Sequence, residues 1–244
     1  MKATPRQQLL LLDLQQLDHS LARLRKRNEQ LPERAELTAL EGEREEVRNR
    51  YMEAQRELDA RRLELSRIEA DVDVVEQREK RDHDMLAVST SSKEAVALQT
   101  ELETLGRRKD ELEERQLEAM EVAEASEAVF SEAERVLAGV EERRADINAR
   151  IEAAESATAR EREAAETERA GLSAEVQGDL LDLYEKTRAQ VGIGAAKLRG
   201  NVSEASGMAL SPADLSTITN TAHDEIVFCP ETGAILVRVI EDAS

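Results

Sequence analysis

The sequence has no Trp, two Phe, two Tyr and a single Cys, and only four Pro and ten Gly in 244 residues. Each shortage excludes something. Aromatic side chains bury about 150–250 Å² apiece in an ordinary globular core, so a chain this poor in them is not built around one. One Cys excludes an intramolecular disulfide framework and, by itself, a cysteine-ligated zinc site. Scarce Gly and Pro leave long stretches with nothing to break a helix. Apolar runs are short too. Leu9–Leu12 is ended by Asp13, whereas a secretory core needs about 7–15 apolar residues and a membrane span about 18 or more. The expectation is a cytoplasmic protein without a membrane contact.

What the sequence does have is charge: 53 acidic and 34 basic residues, net −19, beside 40% hydrophobic residues. Periodic apolar residues in such a background point to long helices or a coiled coil rather than disorder. The charge is uneven. Residues 1–32 carry six basic and three acidic side chains, and residues 192–244 carry three basic and seven acidic. An acidic chain argues against general nucleic-acid binding, which needs a basic footprint. The cluster Arg23, Arg25, Lys26 and Arg27 reads as a solvated helix face answered by acids on a neighbouring helix, with a functional basic patch as the alternative.

Thr4-Pro5-Arg6-Gln7 opens a helix, Thr4 as cap, Pro5 at the first helical position and Gln7 completing a capping box. Leu10, Leu14, Leu17, Leu21, Leu24 and Leu31 follow at 3/4 spacing, with Asn28 in the one polar slot, which keeps a single apolar seam toward a partner helix. Pro32 resets the phase and predicts a kink or short break. Beyond it one row reads Leu37, Arg44, Tyr51, Leu58, Leu65, Val72, and the other Leu40, Val47, Ala54, Arg61, Ile68, Val75. Ala87-Val88-Ser89-Thr90 interrupts the pattern, and Ser91 to Glu94 form a second capping box. Heptads resume from Leu98 through Leu105, Leu112, Phe130, Val140 and Ile147 to Ala154, then thin out at Ala165 and Leu172. A fold-back near residue 89 sets residue i against roughly residue 179 − i, in a hairpin on the order of 120 Å long. It also sets Glu152 and Glu155 opposite the Arg23–Arg27 cluster. A parallel dimer of uninterrupted helices is the runner-up, and the break at 87–90 argues against it.

Composition changes after Ala170. Asp179–Arg188 reads as a short amphipathic helix with Leu180, Leu183 and Tyr184 inward. Ala195–Arg199 reads as a strand, and Ser211-Pro212 caps a helix to about Thr219. Glu225–Cys229 and Ala234–Val239, around Pro230-Glu231-Thr232-Gly233, form a hairpin signal. Met208, Leu210, Leu215 and Ile218 are expected to cover one of its faces.

The opening KATPRQQLLLLDLQQLD, the segment SSKEAVALQTELETL, LLDLYEKTR, GAAKLRG, LSPADLSTI and the closing DEIVFCPETGAILVR together resemble the bacterial C4-type zinc-ribbon coiled-coil proteins in their actinobacterial form. The resemblance spans nearly the whole chain. It implies a mainly α protein: a long antiparallel coiled-coil hairpin over residues 1–174, kinked near Pro32 with its tip near 87–92, and a small α+β zinc-ribbon-like module over 175–244. In the family pattern two CxxC pairs hold one zinc. Laid on that pattern, the ligand positions fall at Ser203, Ser206, Cys229 and Thr232. Three of the four thiols are gone, and hydroxyls are poor zinc ligands because they stay protonated near neutral pH. No structural zinc and no other cofactor is expected, and Cys229 is expected to act as a small buried apolar residue.

No catalytic constellation stands out. His19, His83 and His223 are scattered, and neither a phosphate-binding loop nor a dinucleotide glycine pattern is present. The expected function is that of a non-enzymatic adaptor or scaffold, a monomer or weak dimer, binding protein partners of unknown identity. Its candidate surfaces are the tip, with Lys93, Glu94 and Gln99, and the ribbon-like module, where Lys197, Arg199 and Arg238 form a small basic patch. Capping and register at a tight fold-back are the structural alternative at the tip. The other functional class is a nucleic-acid-binding regulator, disfavoured because Phe228 alone offers a stacking ring in the module.

Overall fold

The computed structural model describes residues 1–238, so Val239, expected as the end of the last strand, lies outside the described residues. The chain folds as two units: Glu33–Ala149 forms a central unit, and the rest of the described chain forms a terminal unit.

The central unit is a helical hairpin made by α2 (Pro32–Val88) and the first two-thirds of α3 (Ser92–Glu175). Its interior is the heptad seam. Leu40, Val47, Ala54, Leu58, Ile68 and Val72 are buried on one helix, and Leu105, Leu112, Ala123, Val140 and Ile147 on the other. Tyr51 and Phe130 place their ring centroids 5.3 Å apart. The two charged seam positions reach sideways. Arg44 Nε donates to Glu141 at 2.6 Å, and Arg61 is held by Glu57 and Glu64 on its own helix. Near the turn Arg78 pairs with Glu101, as a symmetric fold-back predicts. Farther away the register runs slightly ahead: Phe130, packed against Tyr51, lies two residues past the simple mirror position. The longer Arg44 and Arg62 side chains reach on to Glu141 and Glu127.

The terminal unit contains α1 (Pro5–Glu29), the last part of α3, α4 (Gly178–Val191), α5 (Pro212–Asn220) and five strands. The helix at 5–29 ends three residues before Pro32, which heads α2, as its fixed φ favours; of the expected kink or short break, the short break is what forms. The strands are β1 (Ala195–Arg199), β2 (Val202–Ser203), β3 (Met208–Ala209), β4 (Val227–Phe228) and β5 (Ile235–Arg238), in the order β3-β2-β1-β5-β4. The central β1–β5 pair is parallel and the others antiparallel. Parallel strands covered on both faces read as continuous apolar runs, and Ile235, Leu236 and Val237 are each buried.

Their alternation separates two cores. Ala195, Ile235 and Val237 pack with Leu11, Leu14, Val176, Leu180 and Tyr184 on the α1/α4 side. Leu198, Leu236, Val227 and Cys229 pack with Leu210 and Ile218 on the α5 side. Met208, expected in that cover, is instead half exposed on edge strand β3. The first residues of the chain join the sheet margin as well, since Ala3 N donates to Asp224 O at 2.7 Å and Ile226 N to Met1 O at 3.1 Å.

Candidate functional site

Two knuckles of the same backbone design face one another in the terminal unit. In the first, Gly207 N donates to Ser203 O at 2.8 Å and Met208 N to Ser206 Oγ at 3.2 Å. In the second, Gly233 N donates to Cys229 O at 2.8 Å and Ala234 N to Thr232 Oγ1 at 3.3 Å. Each turn closes through a glycine in the left-handed region, Gly207 at φ 71° and Gly233 at φ 78°, which a side chain would strain.

Ser203 and Cys229 are both fully enclosed. Ser203 Oγ donates to Cys229 Sγ at 3.2 Å and accepts from Ala205 N, and Thr232 also bonds the sulfur through its hydroxyl and its amide. Burial pushes the Cys229 thiol up, but the bonds from Ser203, Thr232 and the Glu231 amide outweigh it and hold the thiol below its ordinary value. Three of the four ligand positions implied by the resemblance therefore bond with one another, while the Ser206 hydroxyl serves its own turn. One thiol and three hydroxyls do not fit a structural zinc, which takes four thiolate, imidazole or carboxylate donors. Among the described residues no group of three His, Cys, Asp or Glu side chains could hold a metal ion.

The basic candidates do not form one patch. Lys197 and Arg199 lie on the α1 face of β1, and Arg199 is 3.4 Å from Glu204. Arg238 stands opposite Leu198 in the β1–β5 register, so its side chain emerges on the other face. There its guanidinium donates to the carbonyls of Ile218, Thr221, Ala222 and Glu225. It ties the end of α5 and the following loop to the sheet and is not free to meet a partner.

At the turn of the central unit the capping box takes a different form from the one expected. Glu94 N reaches Ser91 Oγ at 3.5 Å, but it is Ser89 Oγ that donates to the Glu94 carboxylate, at 3.2 Å. Lys93 and Gln99 are exposed.

A buried polar lock on α1 escaped the sequence reading. Gln8, Leu11, Gln15 and Asp18 recur at 3/4/3 spacing and are all buried, forming a second stripe beside the leucine seam. Asp18, 5% exposed at its side chain, accepts from Arg169 at 2.7 Å, Arg188 at 2.9 Å and the Tyr184 hydroxyl at 2.6 Å. Glu185 pairs with both arginines. Burial pushes the Asp18 carboxyl up, but the two guanidinium groups and the phenol hold it below the usual carboxylate range. The Tyr184 hydroxyl is driven far up by burial and by its bond to Asp18. Gln15 Oε1 accepts from Gly194 N at 2.6 Å and Ala195 N at 3.2 Å, fixing the entry to β1. Thr4 caps α1 as expected, its hydroxyl accepting from Gln7 N at 3.3 Å, but the Gln7 side chain does not close the box. It donates to Glu175 O at 2.9 Å and accepts from Gln177 N at 2.8 Å, bridging the end of α3 to the start of α4. The polar spacing 8, 15, 18 was the available signal, disguised as a solvent face.

A family description, the CT398-like coiled coil hairpin domain, matches residues 14–192. The protein Rv2229c of Mycobacterium tuberculosis is 35% identical over 246 residues, covering 98% of this chain and 98% of its own. ML1638 of Mycobacterium leprae is 28% identical over 227 residues, covering 91% and 96%. Among solved structures, one from Mycobacterium smegmatis has a TM-score of 0.80 at 35% identity, over 98% of this chain and all of that one. CT398 of Chlamydia trachomatis shares the fold, with a TM-score of 0.57 at 18% identity over 96% and 98% of the two chains. A hairpin of heptad-patterned helices, a small stranded module after it and relatives aligned over nearly their full length converge: the chain belongs to the CT398-like coiled coil hairpin family.

Proposed function

We propose that this protein is a non-enzymatic coiled-coil adaptor that acts by binding other proteins, through the turn of the central unit and the ribbon-like part of the terminal unit. The observation that carries the reading is apolar exposure around the turn. Val88, at 78%, is the most exposed large hydrophobic side chain among the described residues, and Val96 and Met85, at 60% and 50%, lie at the same end of the hairpin. Leu63, Val74, Leu117 and Val129 are exposed along its arms as well. Apolar groups left in water next to a charged rim favour a docking surface, and Lys93 and Glu94 lie between Val88 and Val96 in sequence. The shifted groups of the terminal unit, Asp18 held down and Arg169 and Tyr184 driven up, satisfy one another, which is the pattern of a structural lock rather than of a poised acid or base.

Crosslinking in cells tests the turn. Partner adducts formed by the wild type are expected to disappear in the Val88→Asp/Val96→Asp variant and to weaken in Lys93→Glu, with helix content unchanged. An identical adduct pattern in all three proteins removes the turn from the proposal.

The knuckles, on the same reading, close without zinc: Ser203 and Thr232 hydrogen bonds to Cys229 replace metal–sulfur bonds. Metal analysis of protein purified without added zinc is expected to give far less than one zinc per chain. The Ser203→Cys/Ser206→Cys/Thr232→Cys variant, with knuckle backbones of the same design, is expected to take up one. Stoichiometric zinc in the wild type overturns this part of the reading.

A further inference from the structure

Within the terminal unit a groove of about 690 Å³ runs between α1 and the start of β1, inside the volume range of clefts that take ligands or peptide side chains. Its apolar lining comes from Leu12, Ala22, Ile193 and Ala195, and its basic lining from His19, Arg23, Lys26 and Lys197. Glu204 is the one carboxylate among the lining residues. In a chain of net charge −19, this is a local reversal of sign. The cations are also uncommitted: Arg23 bonds the Ser20 hydroxyl at 3.0 Å, and Lys26 and Lys197 make no ion pair among the described residues. Arg27, one residue on, faces the other way and is taken up by Glu161 and Thr158. Helical spacing puts His19, Arg23 and Lys26 on one stripe, separate from the seam. The cluster that the sequence presents as one run thus divides, Arg27 being satisfied and Arg23 and Lys26 turned into the groove.

We propose that this groove binds an acidic segment of a partner protein, seating aliphatic side chains on Leu12, Ile193 and Ala195 and carboxylates against Arg23, Lys26 and Lys197. The lining decides between anionic partners. It offers aliphatic carbons and no Phe, Tyr or Trp, so a base finds only the His19 imidazole and the Arg23 guanidinium to stack on, while Leu, Val or Ala side chains fit. A polyanion such as RNA also meets the repulsion of the whole acidic chain, which a short peptide with a few carboxylates meets far less. The inference rests on the reading of the terminal unit as a protein-binding surface and supplies the chemistry of what it binds.

Fluorescence anisotropy on the full-length chain tests it, with a labelled short peptide of alternating Glu and Leu, the same peptide with Gln for Glu, and a single-stranded RNA oligomer as probes. The acidic peptide is expected to bind more tightly than both other probes, and roughly tenfold or more loosely to Arg23→Glu/Lys26→Glu and to Lys197→Glu, with binding weakened by salt. Since these side chains lie at the surface, the variants are expected to keep the wild-type circular dichroism. A second readout needs no variant: bound peptide should protect Lys26 and Lys197, but not Lys80 or Lys93, from acetylation. Equal affinity for the Glu and Gln peptides, unchanged binding by the charge-reversed variants, or tighter binding of RNA each overturns the proposal. Loss of cellular crosslinks from the terminal unit in these variants, without peptide binding, would leave the protein-binding reading standing and remove the acidic-segment assignment alone.

Discussion

Both units use arginine–carboxylate pairs, but they place them in opposite surroundings. Along the central hairpin most of the pairs lie in water: Arg62 and Glu127 are 54% and 61% exposed, and Arg143 pairs with a half-exposed Glu43. Arg44 and Lys109 are partly enclosed, but their carboxylate partners are not. In the terminal unit Asp18 is 5% exposed and Arg169 20%. Exposed pairs gain little, because water screens them and long side chains lose freedom. An enclosed pair is costly to form but far more costly to break, since the surviving charge stays buried. The hairpin therefore takes its stability from the seam and uses charge for solubility and register. In the terminal unit charge specifies which helix meets which.

Removing the Asp18 carboxylate is expected to have the largest effect. Asp18→Ala should destabilise the terminal unit by about 3–5 kcal/mol, measured by urea denaturation at neutral pH. The sign of its pH dependence follows from a folded value held below the unfolded one. The contribution is full above the ordinary carboxylate value of about 3.9 and is lost as pH falls through the lower folded value. Wild type and Asp18→Asn should accordingly differ by a constant amount above about pH 5 and converge below about pH 4. A gap that persists unchanged at pH 2 would show that Asp18 acts through packing rather than charge.

Glycine substitutions sharpen the same contrast. A Cβ at Gly194 would lie 2.4 Å from Tyr184 Cε2, so Gly194→Ala should cost about 1–3 kcal/mol through displacement of the enclosed ring. Gly139, in the helical hairpin, has nothing within 4 Å of its Cβ position, and Gly139→Ala should stabilise by about 0.5–1 kcal/mol. Thermal melts of the two variants should shift in opposite directions. The smallest effect belongs to the exposed pair: Arg62→Gln should leave the denaturation midpoint within error at moderate salt. A clear loss there would mean that charge holds the hairpin together as well.

The hairpin was legible because its core is one-dimensional. Leu40, Val47, Ala54 and their partners repeat every seven residues, and each repeat restates the same helix contact. Its register was less legible: the turn at 89–91 fixes where the helices reverse, but not how far one slides past the other. The helix and strands of the module were legible from caps and β-branched runs, such as Ser211-Pro212 and Ile235–Val237. The lock was not. Gln8, Gln15 and Asp18 look like solvent residues until Tyr184, Arg188 and Gly194 are placed against them, and those lie more than 160 positions away. Arg238 misled for a related reason, since only the strand register tells which face a cation leaves by.

The pairing of Met1 to Ala3 with Asp224 and Ile226 sets a timetable. During synthesis the first helix leaves the ribosome with one apolar face and a buried-type aspartate, and its partners on the sheet are made some 200 residues later. Closing a loop of that length in a disordered chain is slow, although the entropy rises only with the logarithm of its length. The helices between can zip locally in the meantime, leaving α1 as the piece that waits. A newborn chain stalled before residue 169 would carry an uncovered Leu11–Leu14–Asp18 face, because Arg169, Val176, Leu180, Tyr184 and Arg188, which cover it, are not yet made. Stalled before residue 194, it would lack only the sheet side of that cover, a state open to a chaperone or a wrong partner.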